Sequence, residues 1–359
     1  MKKEVMLILT ESCPLACSYC FEHHKSNRTM SFATAKDILD KEAAHLSKED
    51  TLMISLFGGE PLLEYDLIKE IFHYAEASYH DKNIFFFITS NAVLLTEEMK
   101  CWFRKHKNRI QMALSIDGKE RSHNLNRSGS FARIKPHLDF FAKTWPMQPV
   151  QMTVSQATLD YLYDNVIYLH ELGFRVNTSF AKGIFWEESD VKKVKLQFEK
   201  LADYYISNAV EDINRMFVYD FEYIGASDPS EEYRPCGAGT EKMMAYSCDG
   251  TRYPCQCFTP VSLGYEEAGK FANRRIDNSE LYEPDRCRSC KYRLLCPSCL
   301  GMSYSSNGGF LIRSPQECEM NKLLIETGAK IRVSQLAKKT ELNRHDFAEL
   351  AGIRKIYAE

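Results

Sequence analysis

The stretch "ESCPLACSYCF", residues 11–21, brings three cysteines together, Cys13, Cys17 and Cys20. It directly follows a short apolar run that predicts a β-strand, and ligand chemistry in parallel α/β folds gathers beyond the carboxyl ends of the strands. Structural zinc takes four ligands, whereas an iron–sulfur cluster held by three thiolates keeps one iron open to a small molecule. The spacing therefore predicts a metal centre with an open coordination position at the functional face of the fold.

The cysteine count narrows the kind of site. Thirteen cysteines is an odd number, which argues against a closed disulfide framework. In a reducing compartment, clustered cysteines more often bind metal. Besides an open iron–sulfur cluster, the residues leave two alternatives for this loop: buried free thiols, or a zinc site completed by His23 or His24.

The composition bounds the class of protein. Of 359 residues, 44% are hydrophobic and 26% are charged, with a formal net charge of −3, which predicts a globular protein of two or three domains. This balance gives no reason to expect nucleic acid or an anionic membrane as a partner. No apolar run approaches eighteen residues, so no membrane-spanning helix is predicted. The apolar run at residues 5–9 is too short for a signal peptide, and we expect a cytoplasmic location.

The first half of the chain alternates between two patterns. Short apolar runs predict strands, and the stretches between them, with apolar residues three and four positions apart, predict helices, the last of them ended by Gly173. Six strands alternating with helices predict βαβ units and a parallel sheet, closed or nearly closed into a partial (β/α)6 barrel. The predicted strands are residues 5–10, 52–57, 84–89, 110–116, 150–155 and 174–180, and the predicted helices are residues 33–46, 65–77, 96–106 and 159–173.

The second half of the chain differs from the first in composition and in periodicity. Nine cysteines lie between Cys236 and Cys318, with many glycines, prolines and arginines and little periodicity. This composition predicts a small loop-rich domain held by metal rather than by an apolar core. The predicted domains are a barrel at residues 1–185, a helical connection at 186–235, the cysteine-rich domain at 236–318 and a helical tail at 319–359.

The pattern C-x3-C-x2-C, with Tyr19 just before the last cysteine, resembles the signature of radical S-adenosylmethionine (SAM) enzymes. Three more motifs follow predicted strands in the expected order: "FGGEP" at 57–61, "TSNA" at 89–92 and "SIDG" at 115–118. The resemblance covers residues 5 to about 182. It implies a catalytic 4Fe–4S cluster on the three cysteines, whose open iron binds the amino and carboxylate groups of SAM. One electron then cleaves SAM into methionine and a 5′-deoxyadenosyl radical that abstracts hydrogen.

The resemblance also implies which residues bind SAM. The Gly-Gly pair lies near the amino group, supported by Glu60, while Ser115 and Arg127 hold the carboxylate, for which the planar guanidinium fork is suited. Taken singly, the glycine motif is also a plausible strand-to-helix turn, and Arg127 is more often a surface residue. The implied cofactor-binding residues are Gly58, Gly59, Glu60, Ser90, Asn91, Ser115, Asp117 and Arg127.

The C-terminal segments "SCDGTRYPCQCF", 247–258, and "CRSCKYRLLCPSC", 287–299, resemble the auxiliary-cluster domain called SPASM. Their C-x2-C pairs are also typical of zinc ribbons. The resemblance implies two auxiliary 4Fe–4S clusters. Cluster I would take Cys236, Cys248, Cys255 and Cys299, and cluster II would take Cys287, Cys290, Cys296 and Cys318.

Two departures from the family pattern limit this assignment. The last cysteine pair is separated by two residues where the family often has three. Cys257 is an additional thiol that could replace Cys248, stay free, or leave a cluster able to bind substrate. Cys101 lies outside this set, in an amphipathic helix, and is predicted to be a core residue.

Family members with this pair of domains act on peptide or protein side chains. The sequence therefore predicts an enzyme that modifies a ribosomally made peptide by a thioether or carbon–carbon crosslink. An anaerobic sulfatase-maturing enzyme is the alternative within the family, and a zinc-binding scaffold without catalysis is the alternative of another class. Gln256 and Cys257 are the candidates near the substrate. Gln256 occupies the position where sulfatase-maturing enzymes carry an aspartate base, and an amide cannot replace that base.

The resemblance implies three kinds of partner. These are a precursor peptide, a reducing electron donor such as a flavodoxin or ferredoxin, and a means of recognising the leader segment of the precursor. The first predicted strand starts at residue 5, which leaves no room for an N-terminal leader-binding domain. Leader recognition is therefore expected from the tail, from the barrel surface or from a separate leader-binding protein.

Overall fold

The computed structural model describes residues 2–225, 236–276, 287, 289–310 and 313–358. The chain divides into two compact units. The first unit comprises Met1–Gln151, Leu172–Phe174 and Gly237–Asp277, and the second comprises Met152–Glu171, Arg175–Cys236 and Asn278–Glu359. This division follows spatial contacts rather than the order of the sequence, and the domain boundaries given above stay a prediction.

The strands form one large sheet and one small sheet. Their bounds are β1 Lys2–Thr10, β2 Thr51–Gly58, β3 Asn83–Ser90, β4 Ile110–Leu114, β5 Val150–Val154, β6 Val176–Phe180, β7 Met243–Tyr246 and β8 Arg252–Tyr253. The large sheet has the order β4-β3-β2-β1-β7-β8, and β5 pairs with β6. Every pairing from β4 to β7 is parallel, and β8 is antiparallel to β7. A parallel bridge between Ser115 and Gln151 follows the end of β4. The predicted α/β class with a partial barrel is confirmed.

The strand β1, inside the large sheet, is buried on both faces, as is typical of a parallel sheet. From Val5 to Thr10, every residue of β1 is buried. The register runs from Lys2 opposite Thr51 to Ile8 opposite Phe57, and then shifts so that Thr10 lies opposite Gly58. This arrangement brings the carboxyl ends of β1 to β4 to one edge of the sheet, where the sequence motifs follow.

The helices of the first unit lie mostly between these strands. Their bounds are α1 Phe32–Ala43, α2 Tyr65–Ser78, α3 Glu97–His106, α4 Glu120–Asn126, α5 Phe131–Ile134, α6 Leu138–Thr144, α9 Pro260–Leu263 and α10 Tyr265–Gly269. Ser31 and Thr96 cap α1 and α3 by accepting hydrogen bonds from backbone nitrogens three residues later. The prediction for Cys101 is wrong: the side chain is exposed, because α3 buries Lys100 and Phe103 instead.

The helices of the second unit are α7 Leu162–Glu171, α8 Glu188–Ser207, α11 Leu300–Asn307, α12 Pro315–Ala337 and α13 Arg344–Tyr357. The last two are the predicted helical tail. α13 packs closely on a turn at Phe221, where a Cβ atom added to Gly352 would lie 1.8 Å from the Phe221 carbonyl oxygen. Phe221, Ile325 and Ile353 belong to the apolar core between these elements. No helix in the described part of the chain has the length and apolarity needed to cross a bilayer.

Candidate metal and cofactor site

The cysteine loop, residues 11–21, follows β1 in the first unit. The nitrogen of Cys20 donates to the Cys17 carbonyl oxygen at 3.1 Å, which closes a tight turn between two of the cysteines. The loop is also tied to the segment after α4. The Ala16 nitrogen donates to Ser128 Oγ at 3.1 Å, and the Ser18 nitrogen donates to the Asn126 carbonyl oxygen at 2.9 Å. The backbone around the three cysteines is therefore fixed from two sides.

The Gly-Gly pair at the end of β2 is required by the cysteine loop itself. The Gly59 nitrogen donates to the Thr10 carbonyl oxygen at 2.9 Å. A Cβ atom at Gly59 would lie 2.1 Å from the Ser12 carbonyl oxygen and 3.1 Å from the Cys13 Cβ atom. Gly58 adopts φ +130°, a conformation that favours glycine. Within the chain, the group that approaches the pair closely is the backbone of residues 10–12, and a role of the pair in binding SAM stays a prediction.

Glu60 lies beneath this edge with 1% of its surface exposed. Its Oε1 atom accepts hydrogen bonds from Ser90 Oγ at 2.7 Å and from the Leu62 nitrogen at 3.1 Å, and Oε2 accepts one from the Asn91 nitrogen at 2.9 Å. Burial raises the pKa of Glu60, and these hydrogen bonds oppose the shift. Glu60 therefore joins the loops that follow β2 and β3.

Asp117, after β4, is the second buried carboxylate of the site. Its Oδ2 atom accepts hydrogen bonds from Tyr19 of the cysteine loop at 2.8 Å and from Asn126 Nδ2 at 3.1 Å. The same oxygen lies 3.1 Å from Arg127 Nε in a buried ion pair, and the Arg127 guanidinium lies 5.4 Å from the centre of the Tyr19 ring. Asp117 therefore positions both the cysteine loop and the arginine. Ser115, two residues before Asp117 in the sequence, is also buried. Its backbone nitrogen donates to the Ser90 carbonyl oxygen at 2.8 Å.

His123 supports Asp117 from α4. Its Nδ1 atom accepts a hydrogen bond from the Asp117 nitrogen at 3.4 Å, and Nε2 lies 3.0 Å from Ser130 Oγ. Burial, together with the charge of Arg127, lowers the pKa of His123 to about 4, although Asp117 opposes the shift. His123 is therefore neutral at pH 7, and it contributes a hydrogen bond without adding charge.

The three cysteine side chains fit an anionic cluster better than an apolar core. Cys13, Cys17 and Cys20 are all partly exposed. Asn91 Nδ2 donates toward Cys13 Sγ at 3.7 Å. Burial raises the pKa of Cys13 to about 11, while the charge of Lys25 lowers it. A metal centre would displace such thiol protons, and the nearby donor and cation would compensate the negative charge of the thiolates.

A site for a single metal ion, unlike a cluster with several irons, requires ligands that all reach the same atom. Among the residues that the structure describes, no three His, Cys, Asp or Glu side chains are placed to do so. His23 and His24 are exposed, and a Cβ atom added to Gly264 would lie 3.2 Å from the His24 ring. None of the thirteen cysteines, all of which the structure describes, forms a disulfide.

Sequence reasoning missed two residues of this site. Asn126 and Ser128 flank Arg127 and hold the cysteine loop by the contacts given above, and Ser128 adopts φ +53°. Their signal was present in the segment "HNLNRSGSF", residues 123–131, since both are directly adjacent to Arg127. Their role depends on the spatial proximity of two loops more than one hundred positions apart, which the motif alone does not reveal.

Three of the C-terminal cysteines belong to the first unit. Cys248 is buried, and its thiol donates to the carbonyl oxygens of Ile8 at 3.2 Å and Arg28 at 3.6 Å. Cys255 and Cys257 are also buried. Gln256, between them, begins a short 3-10 helix. Its Oε1 atom is buried without a hydrogen-bond partner among the residues that the structure describes.

The other C-terminal cysteines belong to the second unit. The set predicted for cluster II is entirely within this unit, whereas the set predicted for cluster I has members in both units. Arg313 Nη1 lies 3.8 Å from Cys287 Sγ, and Asn321 Nδ2 lies 3.7 Å from Cys296 Sγ. A small pocket, partly open to solvent, adjoins them. Its lining combines apolar and polar side chains, including Phe180, Lys182, Trp186, Cys299, Met302, Arg313, Met320 and Asn321.

Comparisons with known proteins identify the family of the chain. The family model described as "Radical SAM superfamily" matches residues 7–194, more than half of the chain. "Radical SAM cyclopropyl synthase TigE" from Paramaledivibacter caminithermalis is 21% identical, in an alignment that covers 90% of this chain and 73% of TigE. The chain spans between 40% and 73% of the length of the curated relatives that it matches.

Solved structures share the fold. The anSMEcpe structure with bound AdoMet and Cp18Cys peptide has a TM-score of 0.72 and 20% identity, covering 94% of this chain and 100% of that chain. Streptococcus suis SuiB bound to precursor peptide SuiA has a TM-score of 0.61 and 17% identity, covering 88% and 76% respectively. At these identities the likeness shows a common fold.

Proposed function

Because the chain belongs to the radical SAM superfamily, we propose that it is an enzyme that modifies a ribosomally made peptide through a thioether or carbon–carbon side-chain crosslink. The observation that carries the proposal is the partly exposed trio of Cys13, Cys17 and Cys20 within the matched region. The peptide substrate is supported by two proteins of the same fold, whose structures hold a Cp18Cys peptide and the precursor peptide SuiA.

The trio would hold the catalytic 4Fe–4S cluster. When bound, the cluster and SAM supply a 5′-deoxyadenosyl radical that abstracts a hydrogen atom from the peptide. The chain itself fixes the geometry. Glu60 holds the loop after β3, from which Asn91 donates toward Cys13. Asp117 orients Arg127, whose remaining donors suit the carboxylate of SAM. We propose the residues implied by the family resemblance as the SAM site: Gly58, Gly59, Glu60, Ser90, Asn91, Ser115, Asp117 and Arg127.

The residue at position 256 supports crosslinking over sulfatase maturation. The Oε1 atom of Gln256 is buried, and an amide oxygen can accept a hydrogen bond but cannot take a proton at neutral pH. Forming a thioether has less need of a base there, because a substrate thiol ionises by itself far more readily than a carbon acid. The name of TigE, a cyclopropyl synthase, supports the carbon–carbon form of the proposal.

The proposal includes two auxiliary 4Fe–4S clusters on the cysteine sets named above, except that Cys257 takes the place of Cys248 in cluster I, because the Cys248 thiol already donates to two backbone carbonyl oxygens. It also includes an external reductant such as a flavodoxin or ferredoxin, because one electron is needed to cleave SAM. A separate leader-binding protein is a further proposed partner. We expect the enzyme to act in the cytoplasm, where such reductants operate.

Mass spectrometry after anaerobic incubation with SAM and a reductant tests the proposal. Candidate precursor peptides from the adjacent coding region and a sulfatase-motif peptide serve as the two substrates. A precursor that loses two hydrogens is expected. A thioether removes a thiol from alkylation, whereas a carbon–carbon bond leaves every thiol alkylatable. Formylglycine in the sulfatase peptide, with an unchanged precursor, would instead identify a sulfatase-maturing enzyme. Purified protein that contains zinc and no iron would identify a scaffold.

A further inference from the structure

The second unit directs three polar side chains at sulfur atoms of the predicted cluster II. Arg313 Nη1 lies 3.8 Å from Cys287 Sγ, and Asn321 Nδ2 lies 3.7 Å from Cys296 Sγ. Ser298 Oγ lies 3.1 Å from the same Cys296 sulfur. Neutral thiols are weak acceptors, so a guanidinium and an amide directed at them suit thiolates better.

These donors are held in place by the start of α12. Ser314 and Glu317 form a capping box: the Glu317 nitrogen donates to Ser314 Oγ at 3.1 Å, and the Ser314 nitrogen donates to Glu317 Oε2 at 3.1 Å. Arg313 directly precedes this cap. Asn321, two turns into the helix, is buried and also donates to Ser298 Oγ at 3.3 Å. Both donors are therefore fixed to the helix that carries Cys318.

Donors to cluster sulfurs act on the reduction potential. A 4Fe–4S cluster on four thiolates gains one negative charge when it is reduced, and hydrogen bonds or positive charges near its sulfurs stabilise that form more than the oxidised form. The reduction potential therefore rises with each donor. The predicted cluster II has one charged donor and one amide donor of this kind, from Arg313 and Asn321.

We propose that Arg313 and Asn321 are positioning residues that raise the reduction potential of cluster II, so that it accepts the electron released by the peptide during crosslinking. This inference rests on the function proposed above. Crosslinking removes two hydrogens from the peptide: one leaves as a hydrogen atom to the 5′-deoxyadenosyl radical, and the other leaves as a proton and an electron. Loss of that electron oxidises the peptide. Cluster II, when bound to its four cysteines, would take up the electron, and the proton would go to solvent.

The test is a redox titration followed by electron paramagnetic resonance. The full chain with Cys13, Cys17 and Cys20 replaced by Ala serves as the parent, so that only the auxiliary clusters give signals. Arg313→Gln and Asn321→Leu are introduced separately. Each is expected to keep the iron and sulfide content while lowering the reduction equilibrium constant of one cluster about tenfold, which is about 59 mV for one electron. The other cluster is expected to be unchanged.

Three further variants distinguish the effect of charge from that of hydrogen-bond donation and from a general effect of losing an arginine. Arg313→Lys keeps the charge and is expected to lie between the parent and Arg313→Gln. Asn321→Asp keeps the shape of the side chain but replaces a donor by an anionic acceptor, so its shift should exceed that of Asn321→Leu. Arg344→Gln, an exposed arginine at the start of α13, is the matched control and should leave both potentials unchanged.

The outcomes distinguish this inference from the proposed function. Unchanged potentials in variants with full iron content would overturn the tuning role and leave the enzyme proposal intact. A parent protein with zinc, or with only one cluster's iron, in its C-terminal region would overturn the assignment of cluster II and the tuning inference together. In that case, crosslinking by the unmodified enzyme would still be decided by the mass spectrometry described above.

Discussion

Glu60 accepts a hydrogen bond from the Asn91 nitrogen at 2.9 Å, and Asn91 in turn directs its Nδ2 atom at Cys13 Sγ, 3.7 Å away. A buried carboxylate after β2 thus reaches the candidate cluster through a residue after β3. Because Glu60 is itself buried, we expect it to contribute to the SAM site by positioning this loop rather than by contacting the peptide.

Replacing Glu60 with Ala should therefore cost stability. The change removes three hydrogen bonds to a charged acceptor, and we expect the free energy of unfolding to fall by about 3 kcal/mol. Glu60→Gln keeps the shape and one acceptor oxygen, so its loss should be smaller. Urea denaturation of both variants measures these differences, and an Ala variant as stable as the parent would contradict the role given to Glu60.

Gly59→Ala should disturb the cysteine loop through steric overlap. The added Cβ atom would lie 2.1 Å from the Ser12 carbonyl oxygen, so the backbone beside Cys13 must move. We expect a loss of about 2 kcal/mol in the free energy of unfolding and a lower iron content after reconstitution. Gly269→Ala is the matched control, because a Cβ atom there meets nothing within 4 Å. Equal iron content and stability in the two variants would refute this account of the Gly-Gly pair.

The triple replacement of Cys13, Cys17 and Cys20 by Ala distinguishes iron bound at the catalytic site from iron bound by the C-terminal cysteines. We expect it to remove about four irons per chain, keep about eight, and abolish reductive cleavage of SAM while the protein stays brown. Iron and sulfide analysis with product detection measures these outcomes. If the variant still cleaves SAM, the three cysteines do not hold the catalytic cluster. A colourless variant that contains zinc would show that the C-terminal region is a structural zinc module.

Cys248 and Cys257 should respond differently to replacement. The Cys248 thiol already donates to the carbonyl oxygens of Ile8 and Arg28, so we expect Cys248→Ser to keep the full iron content, with serine donating in its place. Cys257→Ser should lose up to four irons if Cys257 completes cluster I. The reverse result, iron loss in the Cys248 variant alone, would support the ligand set that the family resemblance implies.

Acid should destabilise the fold through His123. Its pKa is about 4 in the folded chain and about 6.5 in an unfolded chain. Between these values the unfolded chain binds a proton that the folded chain does not, so the free energy of unfolding falls as pH is lowered from 6.5 to 4. The loss attributable to His123 is about 3 kcal/mol. His123→Asn, whose side-chain oxygen can accept from the Asp117 nitrogen, should flatten this part of a stability–pH curve, and an unaltered curve would exclude the effect.

The sequence predicted those strands and helix ends that have a strong local pattern of residues. The predicted strand at residues 84–89 lies within β3, Asn83–Ser90. A short run rich in aromatic and β-branched residues and bounded by polar residues favours a strand over a helix. Gly173 adopts φ +80°, as expected for a residue that follows a helix. Patterns of this kind depend only on neighbours along the chain.

Features that depend on distant parts of the chain were not predictable in this way. Cys101 lies within an amphipathic helix, yet the buried side of that helix is set by Phe103 and by the stem of Lys100. The pairing of β7 with β1 joins two segments from opposite halves of the sequence, and neither segment carries a local signal of the other. The contacts of Asn126 and Ser128 belong to the same class.

The parallel pairing of β1 with β7 has a consequence for how the protein is made in the cell. Glu4 pairs with Met243, so the partner of the first strand leaves the ribosome only after most of the chain has been synthesised, on the order of 10–50 s later at typical elongation rates. During that interval one edge of β1 has no native partner, and an exposed strand edge promotes aggregation. Slower translation would lengthen this exposure. A nascent-chain chaperone that covers the first strand would therefore be expected to raise the yield of folded protein.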